Sequence, residues 1–269
     1  MSDHPFDAGI ALEWKGDDFA QGRTTDAYAN FIGPFGGMTA AQAINAVLTH
    51  PQRLGEPVAL TVNFAAALAD GPFDIVAQPL RTNRSTQHWA VVLRQGSEVV
   101  GSASAITAVR RETWGAIEAT MPQVPRPVDV PLPATRARVE WVNRYELRFI
   151  EGGIPHEWDG SDSGRSLTRL WTRDNPPRPL DYPSLTAMSD LFFPRIWLRR
   201  ATFVPLGTVS MTVYFHASED DLRATGTGYL LGQSQAQGVR AGYFDHSSQL
   251  WNEAGALLAT THQVVYYKE

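Results

Sequence analysis

The chain contains no cysteine among its 269 residues. Disulfide frameworks, thiolate metal sites and a cysteine nucleophile are therefore all excluded. It also lacks an excess of positive charge. Lys and Arg number 23 against 28 Asp and Glu, for a net charge of −5, and no basic patch with interleaved aromatics appears. Nucleic acid is thus not an expected partner. No stretch approaches the roughly 20 apolar residues of a membrane span. The first residues, "MSDHPFDAGIALEW", have neither a basic start nor an apolar core, so no secretory signal is read and a cytoplasmic location is expected. The seven histidines form no HxxxH or HExxH pattern, so no metal site is expected. "GQSQA" (232–236) departs from the G-x-S-x-G elbow at its last position and lies between strands, which removes a serine nucleophile of that kind.

What is present is a repeat. "VALTVNF" (58–64) and "VSMTVYF" (209–215) agree at four of seven positions. Each follows a helix candidate. In the first half, "GPFGG" is a turn and Met38 to His50 places alanines and apolar residues at helical spacing. Three strand-like runs follow: 57–68, 73–83 and 88–110, the last a hairpin turning at "RQGSE". In the second half, Pro183 to Leu198 opens with a proline and a serine suited to a first turn and cap, and Pro194 should bend or end that helix. Strand-like runs again follow, at 208–218, 222–237 and 239–268, the last turning at "NEAG". Between the halves, "MPQVPRPVDVPLP" (121–133) carries five prolines and suits an extended linker. The expected organisation is a first repeat over 1–120, a linker over 121–138 and a second repeat over 139–269. Each repeat is an α+β unit whose helix packs on one face of an antiparallel sheet.

These pieces, in this order, resemble the type II acyl-CoA thioesterases. The resemblance rests on "FGG" followed four residues later by "QA" at the first helix, the proline-rich stretch, Trp171 and Arg173, "SDLFFP" in the second helix, and "LLATTHQ" near the end. It implies a double hotdog: two tandem repeats, each an antiparallel sheet wrapped around a central helix. It also implies a site built by an aspartate, a threonine and a glutamine of the second repeat. On this sequence those positions are Asp190, Thr208 and Gln263. Aligning the two halves by their matching strands puts Gln42, Pro57 and Ala105 at the corresponding places, so the polar trio is expected once per chain.

Such a trio suits hydrolysis of an acyl-CoA thioester to free acid and coenzyme A. A carboxylate can accept a proton from water, while a hydroxyl and an amide can hold that water in line. Gly36 and Gly37, at a helix N-terminus, are candidate backbone donors for the developing oxyanion; simple turn glycines are the plain alternative. Arg81, Arg84, Arg110, Arg111, Arg199, Arg200 and Arg240 are candidates for the coenzyme A phosphates. His262 should point away from Gln263 on its strand. No cofactor is expected, since coenzyme A belongs to the substrate. The resemblance implies a homodimer or higher homo-oligomer. Two other readings stay open: a non-catalytic acyl-CoA or lipid-binding protein, and a hydratase-type enzyme, whose Asp and His in a "D-x-x-x-x-H" loop are not found here.

Overall fold

The two similar heptads pair with each other. In the computed structural model, which describes residues 4–269, the strands containing them run antiparallel with Leu60 opposite Val213, Thr61 opposite Thr212 and Val62 opposite Met211. Thr61 and Thr212 are equivalent letters of the repeat, and their hydroxyls meet at 3.0 Å. A pseudo-twofold axis therefore passes between them.

The strands are β1 (Glu13–Trp14), β2 (Phe19–Arg23), β3 (Glu56–Phe64), β4 (Pro72–Thr82), β5 (Thr86–Gln95), β6 (Glu98–Ala108), β7 (Tyr145–Glu151), β8 (Thr168–Asp174), β9 (Leu206–Phe215), β10 (Leu230–Gln235), β11 (Val239–Arg240), β12 (Tyr243–Asn252) and β13 (Leu257–Tyr267). The helices are α1 (Pro5–Ile10), α2 (Gly36–Leu48), α3 (Tyr182–Met188), α4 (Arg195–Arg200) and α5 (Glu219–Thr225). One sheet runs through the molecule in the order β1-β2-β4-β5-β6-β3-β9-β13-β12-β10-β8-β7, with β11 beside β12. Around the β3–β9 seam the order is mirrored: β6 and β13 flank the seam, then β5 and β12, then β4 and β10.

Helix α2 supplies the first core. Met38, Ala40, Ala41, Ala43, Ile44, Ala46 and Val47 are all buried, and the many alanines let the helix sit close to the inner faces of β3, β4 and β5. Each larger apolar side chain buried there contributes about 1.5–3 kcal/mol. Helix α3 lies against α2. It is opened by Asp181, whose side chain accepts from the Ser184 N–H.

The structure corrects two sequence expectations and adds two strands. The helix expected over 183–198 is two pieces, α3 and α4: α3 already stops at Met188, and Pro194, expected to bend or end the helix, stands at the N-cap of α4. The run at 222–237, expected as a strand, begins inside α5. Ser218 and Asp221 open that helix with reciprocal side-chain to backbone bonds, a capping box that overrides local strand character. Strands β7 and β8 at the far edge were not anticipated, since β8 emerges from a polar, glycine-rich stretch. The proline-rich segment is mostly extended and lies on the outer face of the second half. There Met121, Val124 and Val130 pack with Trp171, Tyr229 and Trp251, and Trp171 Nε1 donates to the Pro125 carbonyl at 2.8 Å.

Candidate active site

Gln263 is an inward-facing residue of β13, buried between two strands. Its cross-strand neighbours are Met211 on β9 and His246 on β12. Its Nε2 donates to Asp190 Oδ1 at 2.8 Å and lies 3.4 Å from the Ser189 carbonyl.

Asp190 lies just past the end of α3 rather than within it. The helix stops at Met188, and the Asp190 N–H reaches back to the Ala187 carbonyl at 3.1 Å. This exit turn aims the carboxyl at the tip of α2, from the other repeat. The Gly37 N–H donates to it, and a Cβ on Gly36 would lie only 2.8 Å from Asp190 Oδ2. Gly36 is therefore side-chain-free where the carboxyl arrives. At Gly37 a Cβ would strike the Phe35 ring at 2.5 Å and the Ala187 carbonyl at 2.6 Å, so glycine also sets how closely α2 and α3 approach. Burial pushes the Asp190 carboxyl up to about 7, with the Gln263 amide and the Gly37 N–H acting in the opposite direction.

Thr208 joins this group through a β-bulge. Opposite β13, the register steps from Val264–Ser210 to Val265–Thr208, leaving Val209 as the extra residue. Without it, Thr208 would share the outward face with Ser210. With it, Thr208 pairs with the inward Val265 and faces the interior. The first repeat carries the same bulge, stepping from Pro57 to Ala59 opposite β6, and there it turns Pro57 inward.

Asp190, Thr208 and Gln263 together line a cavity of about 340 Å³. Both repeats build it. The first supplies Phe35, Gly36, Thr39, Phe64 and Ala65; the second supplies Trp141, Phe192, Phe193, Thr208, His246 and Tyr266. Trp141 and Phe35 stack across the boundary, with ring centroids 4.2 Å apart.

One residue of this wall was not anticipated. His246 is 3% exposed, and neither of its nitrogens has a hydrogen-bond partner among the described residues. Burial first, and the Arg195 cation second, push its ring down to about 3, which keeps it neutral. The signal in the sequence is a histidine in the inward phase of "YFDHSSQLW", where Phe244 and Ser248 hold the neighbouring inward positions and Leu250 the next. The register places Trp89 at the matching point of the first repeat, since Trp89 faces Ala105 as His246 faces Gln263. The polar set His246, Gln263, Thr208 thus stands where the first repeat has Trp89, Ala105 and Pro57. Trp89 fills that interior, 1% exposed.

Arg195 is a second buried surprise. Among the described residues it has no carboxylate partner, and donates instead to the Phe193, Ser166 and Ser234 carbonyls and to Thr168 Oγ1. Burial lowers it to about 9, so it stays charged near neutrality and ties α4 to β8 and β10. Gln42, the first-half counterpart proposed for Asp190, holds the N-terminal segment by donating to the Gly9 carbonyl at 2.8 Å. His262 points outward and meets Asp245 at 2.8 Å. Of the candidate arginines, Arg110 binds Glu56 and three backbone carbonyls, Arg199 binds Asp162 and Arg200 binds Glu269. Arg84, Arg111 and Arg240 are exposed. Among the described residues, no group of three or more His, Asp or Glu is placed to hold a metal ion.

Comparison with known proteins agrees with this architecture. Residues 25–108 match the family model "Acyl-CoA thioesterase N-terminal domain", and residues 112–267 match "Acyl-CoA thioesterase C-terminal domain". No curated protein matches. Among solved structures, a conserved protein of unknown function with a hot dog fold from Alicyclobacillus acidocaldarius is 44% identical. That match covers 100% of this chain and 99% of the other, with a TM-score of 0.94. An acyl-CoA thioesterase II from Mycobacterium marinum shares the fold at 18% identity, 98% coverage of both chains and a TM-score of 0.77. The fold is a double hotdog.

Proposed function

The chain belongs to the acyl-CoA thioesterase family, and from that premise we propose that it hydrolyses an acyl-CoA thioester at Asp190, Thr208 and Gln263. The observation that carries this reading is the Asp190 carboxyl, held by Gln263 and by an N–H of the opposite repeat at the edge of a shared cavity. A carboxyl near 7 can take a proton from water at neutral pH and still give it up.

In this mechanism Asp190 accepts a proton from a water held by Thr208 and the Gln263 amide. The water oxygen bonds to the thioester carbonyl carbon, and the carbonyl electrons move onto its oxygen. Since the Gly37 N–H is already given to Asp190, the Gly36 N–H at the same helix tip is the backbone donor we assign to that oxyanion. The carbonyl then re-forms, the carbon–sulfur bond breaks, and the Asp190 proton passes to the departing sulfur. The aromatic walls Phe35, Phe64, Trp141 and Phe193 would receive the acyl chain.

The test is thiol release from a panel of acyl-CoAs of short to long chain, including aromatic acyl groups. Wild type is expected to release coenzyme A, and Asp190→Asn to lose about 10²–10⁴-fold in kcat. Undiminished turnover by Asp190→Asn would overturn the assignment.

A further inference from the structure

Three buried polar atoms in the wall of this cavity lack a hydrogen-bond partner among the described residues: both ring nitrogens of His246 and Oε1 of Gln263. Both residues are nearly fully buried, His246 at 3% and Gln263 at 2% exposure, and they are direct cross-strand neighbours on the inner face. Buried polar groups are nearly always paired.

The Gln263 amide already has a preferred sense. Its nitrogen faces three acceptors: Asp190 Oδ1, the Ser189 carbonyl and Met211 Sδ. Its oxygen therefore faces the other way, toward His246. A neutral imidazole has one N–H to offer, and that N–H is the donor the Gln263 oxygen lacks.

The sense of the amide matters once Asp190 has taken a proton. An ionised carboxylate accepts only, so Gln263 must present its N–H₂. A protonated carboxyl can also donate. A free amide could then turn over, present its oxygen and hold the acid form in place. We infer that His246 is a positioning residue for the hydrolysis: its N–H, donated to Gln263 Oε1, prevents the amide from turning and keeps a donor on Asp190 throughout. This role rests on the proposed function of Asp190. Its counterpart Trp89 in the first repeat has no amide to orient, because Ala105 stands opposite it.

The surrounding charges are compatible with the role. Burial first, and Arg195 from α4 second, hold the His246 ring neutral; the Gln263 side chain and then Asp245 act in the opposite direction, and His262 adds weakly to the lowering. The ring therefore does not titrate in the working range. Asp190 is faced by Gln263 and by the Gly37 N–H, and the buried Tyr145 hydroxyl feels its charge from β7. A movement in the acid limb of the pH–rate profile thus reports on Asp190.

The experiment compares wild type with His246→Phe, His246→Asn and His246→Gln. The last two place an amide N–H near the positions of Nδ1 and Nε2 in turn. In His246→Phe the acid limb of kcat/KM should move up by about one pH unit, a roughly tenfold loss at pH 6 that recovers at high pH. Either amide variant should return the limb toward wild type. If the limb stays put in His246→Phe, whatever happens to kcat, the inference is overturned.

Two measurements need no turnover. The Asp190 titration followed by carboxyl carbon NMR should move upward in His246→Phe and return toward wild type in either amide variant. In wild type, ring-nitrogen NMR should show His246 as one neutral tautomer from pH 5 to 8, and a mixture of tautomers would overturn the role. If wild type hydrolyses no acyl-CoA, the proposed function fails, and these two titrations still decide the inference.

Discussion

Asp190 is the residue at which activity and stability pull in opposite directions. Its carboxyl ionises near 3.8 when unperturbed and near 7 in the fold. Between those values the folded chain holds a proton that the unfolded chain has released. The contribution of this group to stability is therefore complete below about pH 4, declines as pH rises toward 7, and is flat above. Catalysis requires the ionised form, so its rate should climb over the upper part of that same range. Replacing Asp190 by Asn removes the buried charge but keeps the shape. At pH 8 the variant should be more stable by on the order of 2 kcal/mol, a rise of several degrees in Tm. At pH 4 the two proteins should melt together. Calorimetry at both values checks this, and an equal gain at both would show that charge burial is not the cause. Asp174, also pushed up to about 7 by burial, is present in both proteins and cancels.

At the scale of elements, the site is made by the ends and irregularities of helices and strands. The tip of α2, the exit turn of α3 and the bulge in β9 each deliver one group. The tip of α2 can be tested directly. Gly36→Ala keeps a backbone that any residue can adopt, and alanine is a better helix former. Its Cβ, however, would fall 2.8 Å from Asp190 Oδ2 and must push the carboxyl aside. The expected result is a 10- to 100-fold loss in kcat/KM with Tm changed little; a normal rate would mean that the carboxyl does not work from this position.

Element ends also explain what was legible in the sequence. The repeat, its central strands and the hairpins were readable, because apolar alternation and glycine turns are local signals. Asp190, Thr208 and Gln263 were reached by resemblance, and the structure brings all three to one cavity. The break after Met188 was half visible in Pro194, whereas the inward turn of Thr208 depends on a register step that no local pattern announces. His246 was hidden because one histidine in an apolar phase looks like ordinary core. Arg195 was hidden because a buried cation satisfied by carbonyls has no acidic partner to mark it.

At the scale of the whole molecule, the two repeats are not interchangeable, and neither forms the site alone. The second repeat brings Asp190, Thr208, His246 and Gln263. The first brings the Gly37 N–H, the space left at Gly36, and the walls Phe35 and Phe64. The seam makes separation costly as well. Alone, either repeat would expose the edge of β3 or β9, whose unpaired backbone groups invite aggregation. Residues 109–120 have no regular secondary structure and Trp114 is 87% exposed, so cutting the chain between Trp114 and Gly115 leaves both repeats whole. Expressed together, the two pieces should co-purify in a one-to-one complex and release thiol at close to the rate of the intact chain. Arg110, on the first piece, would still bind the Phe215 and His216 carbonyls on the second. Expressed singly, each should be poorly soluble and inactive. Activity in the second piece alone would mean that the first repeat is dispensable to the chemistry, and the role given to the tip of α2 would have to be abandoned.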